Sequence, residues 1–336
     1  MKIIRNVEKR DLEDLYKLSQ LANFINLPQD KKIIEEKINL SLKSFVNPDN
    51  NLTHNFYIFV CEDLNTQKVC GVSMIHAQHG TEDEPHFFLK IKDKKKHSST
   101  IDKDFTYRTL KLGWDTDGPT EIGALIVFPE YRGHKDKIGK QLSYARFLYM
   151  ANNPFRFKDT IHCELMPPFN EDGSAPLWEA IGRKFMKMNY LEADKLSRTN
   201  KEFILSLFPK ENIYFDLLPE SAQQSIGLVG EKTAPVKHML EKIGFHYTNE
   251  VDPFDGGPHY RAKLRDITLV KKRFQKQLSK KESSLTKKGI LQFNVKDYQF
   301  FAMQTSFEFD NHRVLMSDQD IKSLELKNDI ITGIEF

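Results

Sequence analysis

Hydrophobic and polar positions follow recognisable periods along the first third of the chain. Residues 3–7 form a short apolar run that predicts a strand, and leucines at every third position between Arg10 and Leu21 predict a helix after it. A second helix is expected over residues 29–45, because its apolar side chains fall on one face and its Lys and Glu on the other. Two β-rich runs, 56–61 and 68–75, flank a turn-forming segment and predict a hairpin.

The same analysis predicts alternating strands and helices in the middle of the chain. Residues 121–128 are nearly uncharged and end at a proline, which is typical of a central strand buried on both faces. A buried helix is expected from about residue 138 to 151, followed by a strand over 160–165. Further helices are expected at 176–186 and at 233–243, the second with a proline in its first turn.

Two lysine-rich segments interrupt these patterns. The cluster at 93–96 is interpreted as a solvated loop, and the basic stretch 271–281 as a helical or loose connector. Beyond that connector, residues 290–336 read as short strands. We therefore predict a mixed α/β fold in which residues 1–265 form the main domain and 266–336 a small β-rich C-terminal domain.

Composition excludes several classes of protein. In 336 residues, 50 Lys and Arg balance 47 Asp and Glu, and a net charge of +3 is too small for a nucleic-acid-binding surface. No apolar run approaches the roughly 18 residues of a membrane span, so we expect a cytoplasmic protein without a membrane partner. Cys61, Cys70 and Cys163 have no zinc-ligand spacing and are expected to be buried thiols.

The segment that follows the central strand has the composition of an anion-binding turn. Arg132, Lys137, Gly139 and Lys140 lie between the end of that strand and the start of the next helix. A helix N-terminus carries partial positive charge, glycine lets an anion approach the backbone, and the basic side chains add full charges. A nucleotide-like cofactor fits this segment, and so does a plain charged turn that caps a helix.

Four acids are candidates for chemistry. Glu121 begins the central strand and Glu164 ends the next one, each as the only acid in an apolar stretch, where it can deprotonate an amine or bind a cation. Asp252 and Asp255 lie in a twin-glycine turn, where their carboxylates can bind a cationic group such as guanidinium. The alternative for Glu121 and Glu164 is an ordinary strand-terminal acid that faces water, and turn formation explains Asp252 and Asp255 equally well.

No metal site is expected from the spacing of the histidines. None of those considered has a neighbour at metal-ligand spacing, and each is interpreted as structural. They are His134, His162, His238, His246 and His259.

Ordered stretches along nearly the whole chain resemble the arginine N-succinyltransferases, a family of the GNAT acyl-CoA N-acyltransferase superfamily. The helix that ends in Glu241-Lys242-Ile243-Gly244-Phe245 is a mark of the superfamily. The stretches that match the narrower family are the start through 11, 116–121, 143–151, 176–185, 193–194, 222–227, 233–235 and 254–258.

The resemblance implies a GNAT-like core with a small C-terminal β-barrel-like domain and the transfer of succinyl from succinyl-CoA to arginine, in arginine catabolism. It implies that Leu125 in the central strand binds succinyl-CoA, and we assign Val127 of the same strand to the cofactor site. Glu164 and Glu121 are the candidate catalytic residues, and Asp252 and Asp255 the candidate substrate contacts. Relatives of this family are expected to form homo- or hetero-oligomers.

Departures from the family pattern leave other functions open. Gly230 stands where the family has a proton-donor histidine, Met166-Pro167 replaces its Arg-Gly after Glu164-Leu165, and Lys137 replaces one of the superfamily's paired glycines. Loss of a general acid removes about 10²–10⁴ in rate. The alternatives are a catalytically weak partner subunit or ligand-binding module, and an N-acyltransferase with a different donor or acceptor.

Overall fold

The structure is a computed structural model that describes residues 1–21, 27–133, 135–281, 285–327 and 329–336. His134, interpreted above as structural, lies outside the described residues. The strands are β1 Lys2–Asn6, β2 Phe56–Asp63, β3 Lys68–His76, β4 His86–Ser98, β5 Lys103–Asp115, β6 Thr120–Val127, β7 Thr160–Glu164, β8 Ile213–Tyr214, β9 His246–Val251, β10 Pro258–Lys263, β11 Arg273–Lys281, β12 Lys287–Gln292, β13 Phe301–Asp310, β14 Arg313–Ser317 and β15 Ile330–Glu335. The helices are α1 Leu12–Ser19, α2 Lys31–Val46, α3 Ile138–Asn152, α4 Pro176–Ala180, α5 Gly182–Met186, α6 Tyr190–Ser197, α7 Glu202–Leu207, α8 Glu220–Gln223, α9 Ala234–Lys242, α10 Thr268–Lys271 and α11 Asp318–Ser323.

The chain forms two compact units, and each is assembled from separated segments. The first unit contains residues 1–78, 120–161 and 263–336, and the second contains 79–119 and 162–262. The C-terminal segment that the sequence sets apart from residue 266 thus clusters with the N-terminal residues. The division at residue 265 into functional domains stays a prediction.

An antiparallel sheet and two amphipathic helices form the main core of the first unit. β2 pairs with β1 and β3, and β3 pairs with β6. α1 and α2 bury one face each, as their apolar periods predict, and Asp30 caps α2 by accepting hydrogen bonds from the amides of Lys32 and Ile33. The resulting core includes Leu15, Ile34 and Ile38, all almost fully buried.

The last strands of the first unit close into a small barrel. β12 pairs with both β13 and β15, β15 with β11, β11 with β14, and β14 with β13, so the five strands return to their starting point. Closure removes exposed strand edges, which stabilises a sheet too small to stand open. Its interior is filled by buried side chains such as Phe307, Leu291 and Met316. The β-rich C-terminal region expected from the sequence is therefore present.

The second unit is an antiparallel sheet covered by short helices. β9 pairs with β10 and β4, β4 with β5, and β5 with β8. Trp178 lies at the centre of its core, stacked on Phe254 with ring centroids 4.8 Å apart, and its indole nitrogen donates to the carbonyl of Met188. This stacking fixes the loop that carries Asp252 and Asp255 against the core.

Most predicted elements are confirmed, and three predictions are wrong. Residues 93–96 lie within β4, where thirteen paired residues of β4 and β5 satisfy the backbone of a long, exposed hairpin. The basic stretch 271–281 is mostly the barrel strand β11. The helix expected over 176–186 is divided into α4 and α5 at Ile181, whose φ of −125° and ψ of −72° are not helical.

The structure also bears on the cysteines and on the search for membrane-spanning helices. Cys61, Cys70 and Cys163 are buried free thiols, as predicted. None of the helices in the described ranges is both long and apolar enough to cross a bilayer.

Candidate active site

A bulge interrupts β6 in the middle of its pairing with β3. Met74 lies opposite Gly123 and Val72 opposite Ile126, so that one residue of β3 faces both Ala124 and Leu125. Ala124 has a φ of +46°, a conformation that a non-glycine residue adopts rarely. Bulges of this kind break the regular ladder and are common next to binding sites. The bulge contains Leu125, one of the two strand residues that the sequence assigns to cofactor binding, whereas Val127 is paired with Gly71 beyond it.

The turn after β6 is tied to the strand end. A short 3₁₀ helix, Pro129–Tyr131, follows the strand, and Arg132 Nε donates to the carbonyl oxygen of Val127 at 2.8 Å. Gly133 has a φ of +68°, and a Cβ added there would meet no atom within 4 Å. The backbone of this turn is therefore accessible to a ligand.

The N-terminus of α3 carries the remaining predicted cofactor residues, Lys137, Gly139 and Lys140. Lys137 precedes the helix in the left-handed conformation, with a φ of +49°. This lysine, which replaces a glycine of the superfamily pattern, therefore has a backbone conformation that favours glycine. At Gly139 a Cβ would meet only Val127, at 3.8 Å. The ammonium of Lys140 lies 3.9 Å from the ring centroid of Phe336. The six predicted cofactor residues thus form one strand–turn–helix segment of the first unit.

The two candidate catalytic glutamates belong to different units. Glu121 is buried in the first unit and lies opposite His76 in the pairing of β6 with β3. Glu164 ends β7 in the second unit, and its side chain is 29% exposed. Glu164 is therefore the more accessible of the two to a polar ligand.

Three histidines surround the Glu164 carboxylate. Its Oε1 lies 3.7 Å from His86 Nδ1, 3.3 Å from His162 Nε2 and 3.5 Å from His259 Nε2. All three rings are buried and contact one another, with centroids 4.7–5.2 Å apart. Arg261 approaches from the side, where its Nε donates to His162 Nδ1 at 3.3 Å.

The twin-glycine turn holds two acids in the second unit. Asp252 Oδ1 accepts from the amides of Phe254 and Asp255, and Asp255 Oδ1 accepts from the amide of Gly257. A Cβ at Gly257 would lie 2.5 Å from the carbonyl oxygen of Leu165, which requires glycine at that position. Both carboxylates therefore have the turn-forming role that the sequence left as one alternative.

These acids also act electrostatically on one another. Burial, followed by the negative charges of Asp255 and Glu164, raises the pKa of Asp252 well above its ordinary value. Burial raises the pKa of Asp255 to about 7, with further contributions from Glu164 and Asp194. Closely spaced carboxylates in a low-dielectric surrounding repel each other, and a bound cation relieves that repulsion. The cluster of Glu164, Asp252 and Asp255 is therefore suited to a cationic ligand.

Sequence reasoning missed the histidines around Glu164. His162 precedes Glu164 by two residues, and side chains two apart on a strand share a face, which was the available signal. His259 and His86 come from other strands, β10 and β4, and no local spacing connects them to Glu164. The geometry thus groups residues that the sequence interpretation treated separately.

Gly230 occupies a confined place beside the altered segment after Glu164. Its amide donates to the carbonyl of Met166, and a Cβ at Gly230 would lie 2.9 Å from the carbonyl oxygen of Pro167. The histidine that the resemblance places at this position does not fit here without movement of the Pro167 backbone.

We expect Gly230→His to destabilise the protein and to leave its transfer rate unimproved. The new Cβ overpacks against backbone, which typically reduces the free energy of unfolding by about 1–3 kcal/mol. Thermal unfolding and steady-state rates of Gly230→His measure both effects. A stable Gly230→His variant with an increased rate would contradict this reading.

Comparisons with known proteins identify the family. Residues 2–269 match the family described as arginine N-succinyltransferase beta subunit. An arginine N-succinyltransferase of Yersinia pestis is 35% identical over 274 residues, which cover 80% of this chain and 76% of the relative. That of Citrobacter koseri is 33% identical over 275 residues, covering 81% and 79%.

A solved structure extends the similarity to the whole chain. Subunit AI of an arginine/ornithine succinyltransferase from Pseudomonas aeruginosa superposes with a TM-score of 0.84 and 25% identity, covering 99% of this chain and 98% of that one. These comparisons confirm the family resemblance, the mixed α/β fold class and the expected N-acyltransferase class drawn from the sequence. The chain belongs to the arginine N-succinyltransferase family.

Proposed function

We propose that this chain transfers the succinyl group of succinyl-CoA to the α-amino group of arginine. The observation that carries this proposal is the family match over residues 2–269, which includes both the bulged strand with its turn and the acid cluster. The relatives named above are arginine N-succinyltransferases by name, and the electrostatics of the second unit are those that a cationic acceptor needs.

The first unit supplies the proposed contacts for the acyl donor. The main chain of β6 at Leu125 lies in the bulge, two residues before Val127, and a thioester carbonyl can accept hydrogen bonds from backbone amides there. The pyrophosphate of the donor would bind at the N-terminus of α3, where Gly139 leaves room and Arg132, Lys137 and Lys140 add positive charge.

The second unit supplies the proposed contacts for the amine. Burial and neighbouring carboxyl groups, Glu164 among them, raise the pKa values of Asp252 and Asp255, so a bound cationic group would favour the ionised forms of both aspartates. Arginine carries two cationic groups, and carboxylates are the natural partners of both. We assign Glu164 as the base that removes a proton from the α-ammonium, and retain Glu121 as a second candidate.

Release of free thiol from succinyl-CoA tests the proposal directly. We expect release that depends on arginine, with ornithine, lysine and acetyl-CoA as comparisons for acceptor and donor. No release above background with any acceptor, together with arginine binding in calorimetry, would reject the proposal in favour of the ligand-binding module.

Asp255→Asn is expected to raise the KM for arginine about 10- to 100-fold, since a hydrogen bond to a charged group contributes about 1.5–3 kcal/mol. The amide oxygen of asparagine can still accept from the Gly257 amide, so the turn keeps its bond while the charge is lost. Asp172→Asn is the matched control, because Asp172 also caps an amide two residues ahead but is exposed. Equal KM values for the two variants would remove Asp255 from the acceptor site.

A further inference from the structure

Three histidines that the proposed transfer reaction does not use surround Glu164, its proposed base. One potential ligand atom from each of His86, His162, Glu164 and His259 lies within 4.8 Å of the others. These residues come from β4, β7 and β10, all within the second unit. We propose that these four side chains bind a divalent transition-metal ion of the zinc type.

The distances suit tetrahedral coordination. With metal–ligand bonds of about 2.0–2.2 Å, neighbouring ligand atoms of a tetrahedron are about 3.3–3.6 Å apart. The Oε1 atom of Glu164 lies 3.3–3.7 Å from one nitrogen of each histidine. All four ligand atoms lie within 4.8 Å of one another, so metal binding would draw the more distant of them closer together. Three imidazoles with one carboxylate is a donor set that zinc accepts readily.

His259 provides an independent indication. Its side chain is fully buried, and neither ring nitrogen has a hydrogen-bond partner among the described residues. Buried polar groups are normally satisfied, so such a ring is unusual. Its Nε2 faces the Glu164 carboxylate at 3.5 Å, where a bound metal would be its partner.

The hydrogen bond from Arg261 to His162 competes with metal binding and is expected to lower the affinity for the metal. Arg261 donates to His162 Nδ1, which leaves the His162 proton on Nε2, the nitrogen that faces Glu164. Metal binding requires that proton to move to Nδ1 and Arg261 to withdraw towards Asp115 and Glu250, which already contact its terminal nitrogen. We therefore expect weaker binding than in a site whose histidines are backed by acceptors.

Direct metal binding by the full chain tests this inference without reference to the acyl acceptor. Metal-stripped protein is titrated with Zn²⁺ by calorimetry and with Co²⁺ by visible absorption. We expect about one equivalent of either ion and the intense visible bands of tetrahedral cobalt. His259→Ala and His86→Ala should each weaken Zn²⁺ binding at least about tenfold.

His238→Ala is the control, since His238 is exposed on α9 and is not one of the four proposed ligands. Its affinity for Zn²⁺ should equal that of the unmodified protein. The inference is overturned if the unmodified protein binds no Co²⁺ or gives only the weak spectrum of octahedral cobalt, a result that does not depend on the folding of any variant. It is also overturned if His238→Ala weakens binding as much as His259→Ala.

Discussion

Glu164→Gln should reduce kcat/KM for succinyl transfer to arginine by about 10²–10⁴, the usual contribution of a general base. The amide cannot accept the proton of the α-ammonium, and it also removes one negative charge from the acid cluster. The substitution preserves the size of a side chain that is packed against three buried histidines, so large structural changes are not expected.

Glu179→Gln is the matched control for this experiment. Glu179 is an acid of the second unit on α4, where its carboxylate contacts only Arg183 one turn away among the ion pairs of the described residues. We expect its kcat/KM to stay within about threefold of the unmodified enzyme, since an exposed ion pair contributes little. Assays in a buffer with chelator keep the result independent of bound metal. A Glu164→Gln variant as active as Glu179→Gln would move the base to another group, with Glu121 next to be tested.

Arg5→Leu should reduce the free energy of unfolding by about 3–5 kcal/mol, as is typical when one partner of a buried ion pair is removed. The Arg5 guanidinium is fully buried in β1, donates two hydrogen bonds to Asp11 at 2.7 and 2.8 Å, and contacts Glu62 of β2. Leucine would leave two buried carboxylates facing each other without that cation. Urea denaturation followed by circular dichroism measures the change in the unfolding midpoint.

Arg10→Leu separates this effect from the mere loss of a charge. Arg10 also contacts Glu62, at 2.9 Å, but its side chain is 45% exposed. Water can replace that contact, so we expect a loss of less than about 1 kcal/mol. If Arg5→Leu were no more destabilising than Arg10→Leu, burial would not govern the energetics of this cluster.

Local sequence patterns were sufficient for elements with a pronounced apolar pattern. The apolar stripe of α2 reports which side chains face the core, and the continuous apolar runs of β2, β3, β6 and α3 report elements that are largely buried. The six predicted cofactor residues lie close together because they are near one another in the sequence. They lie within sixteen consecutive positions, 125–140, and a short segment folds into a short region of space.

Exposed strands escaped prediction. Residues 93–96 and most of 271–281 carry lysines on solvent-facing positions, and their strand conformation depends on hydrogen bonds to partners elsewhere in the chain. Pairing of this kind does not require an apolar period in the sequence, so the sequence does not reveal it. A connector and a strand therefore look alike in composition, and only the partner strands distinguish them.

The sequence by itself determined the family and the fold class, and it predicted a cofactor segment and the acids Glu164, Asp252 and Asp255 as candidate site residues. Tertiary structure decided that these three acids share one electrostatic environment, and that His86, His162 and His259 surround Glu164. The reason is sequence separation: residues 86, 162–164 and 252–259 meet only when β4, β7 and β10 are assembled. Local periodicity records the face on which each side chain lies, whereas the identity of its neighbours across the sheet follows from long-range pairing.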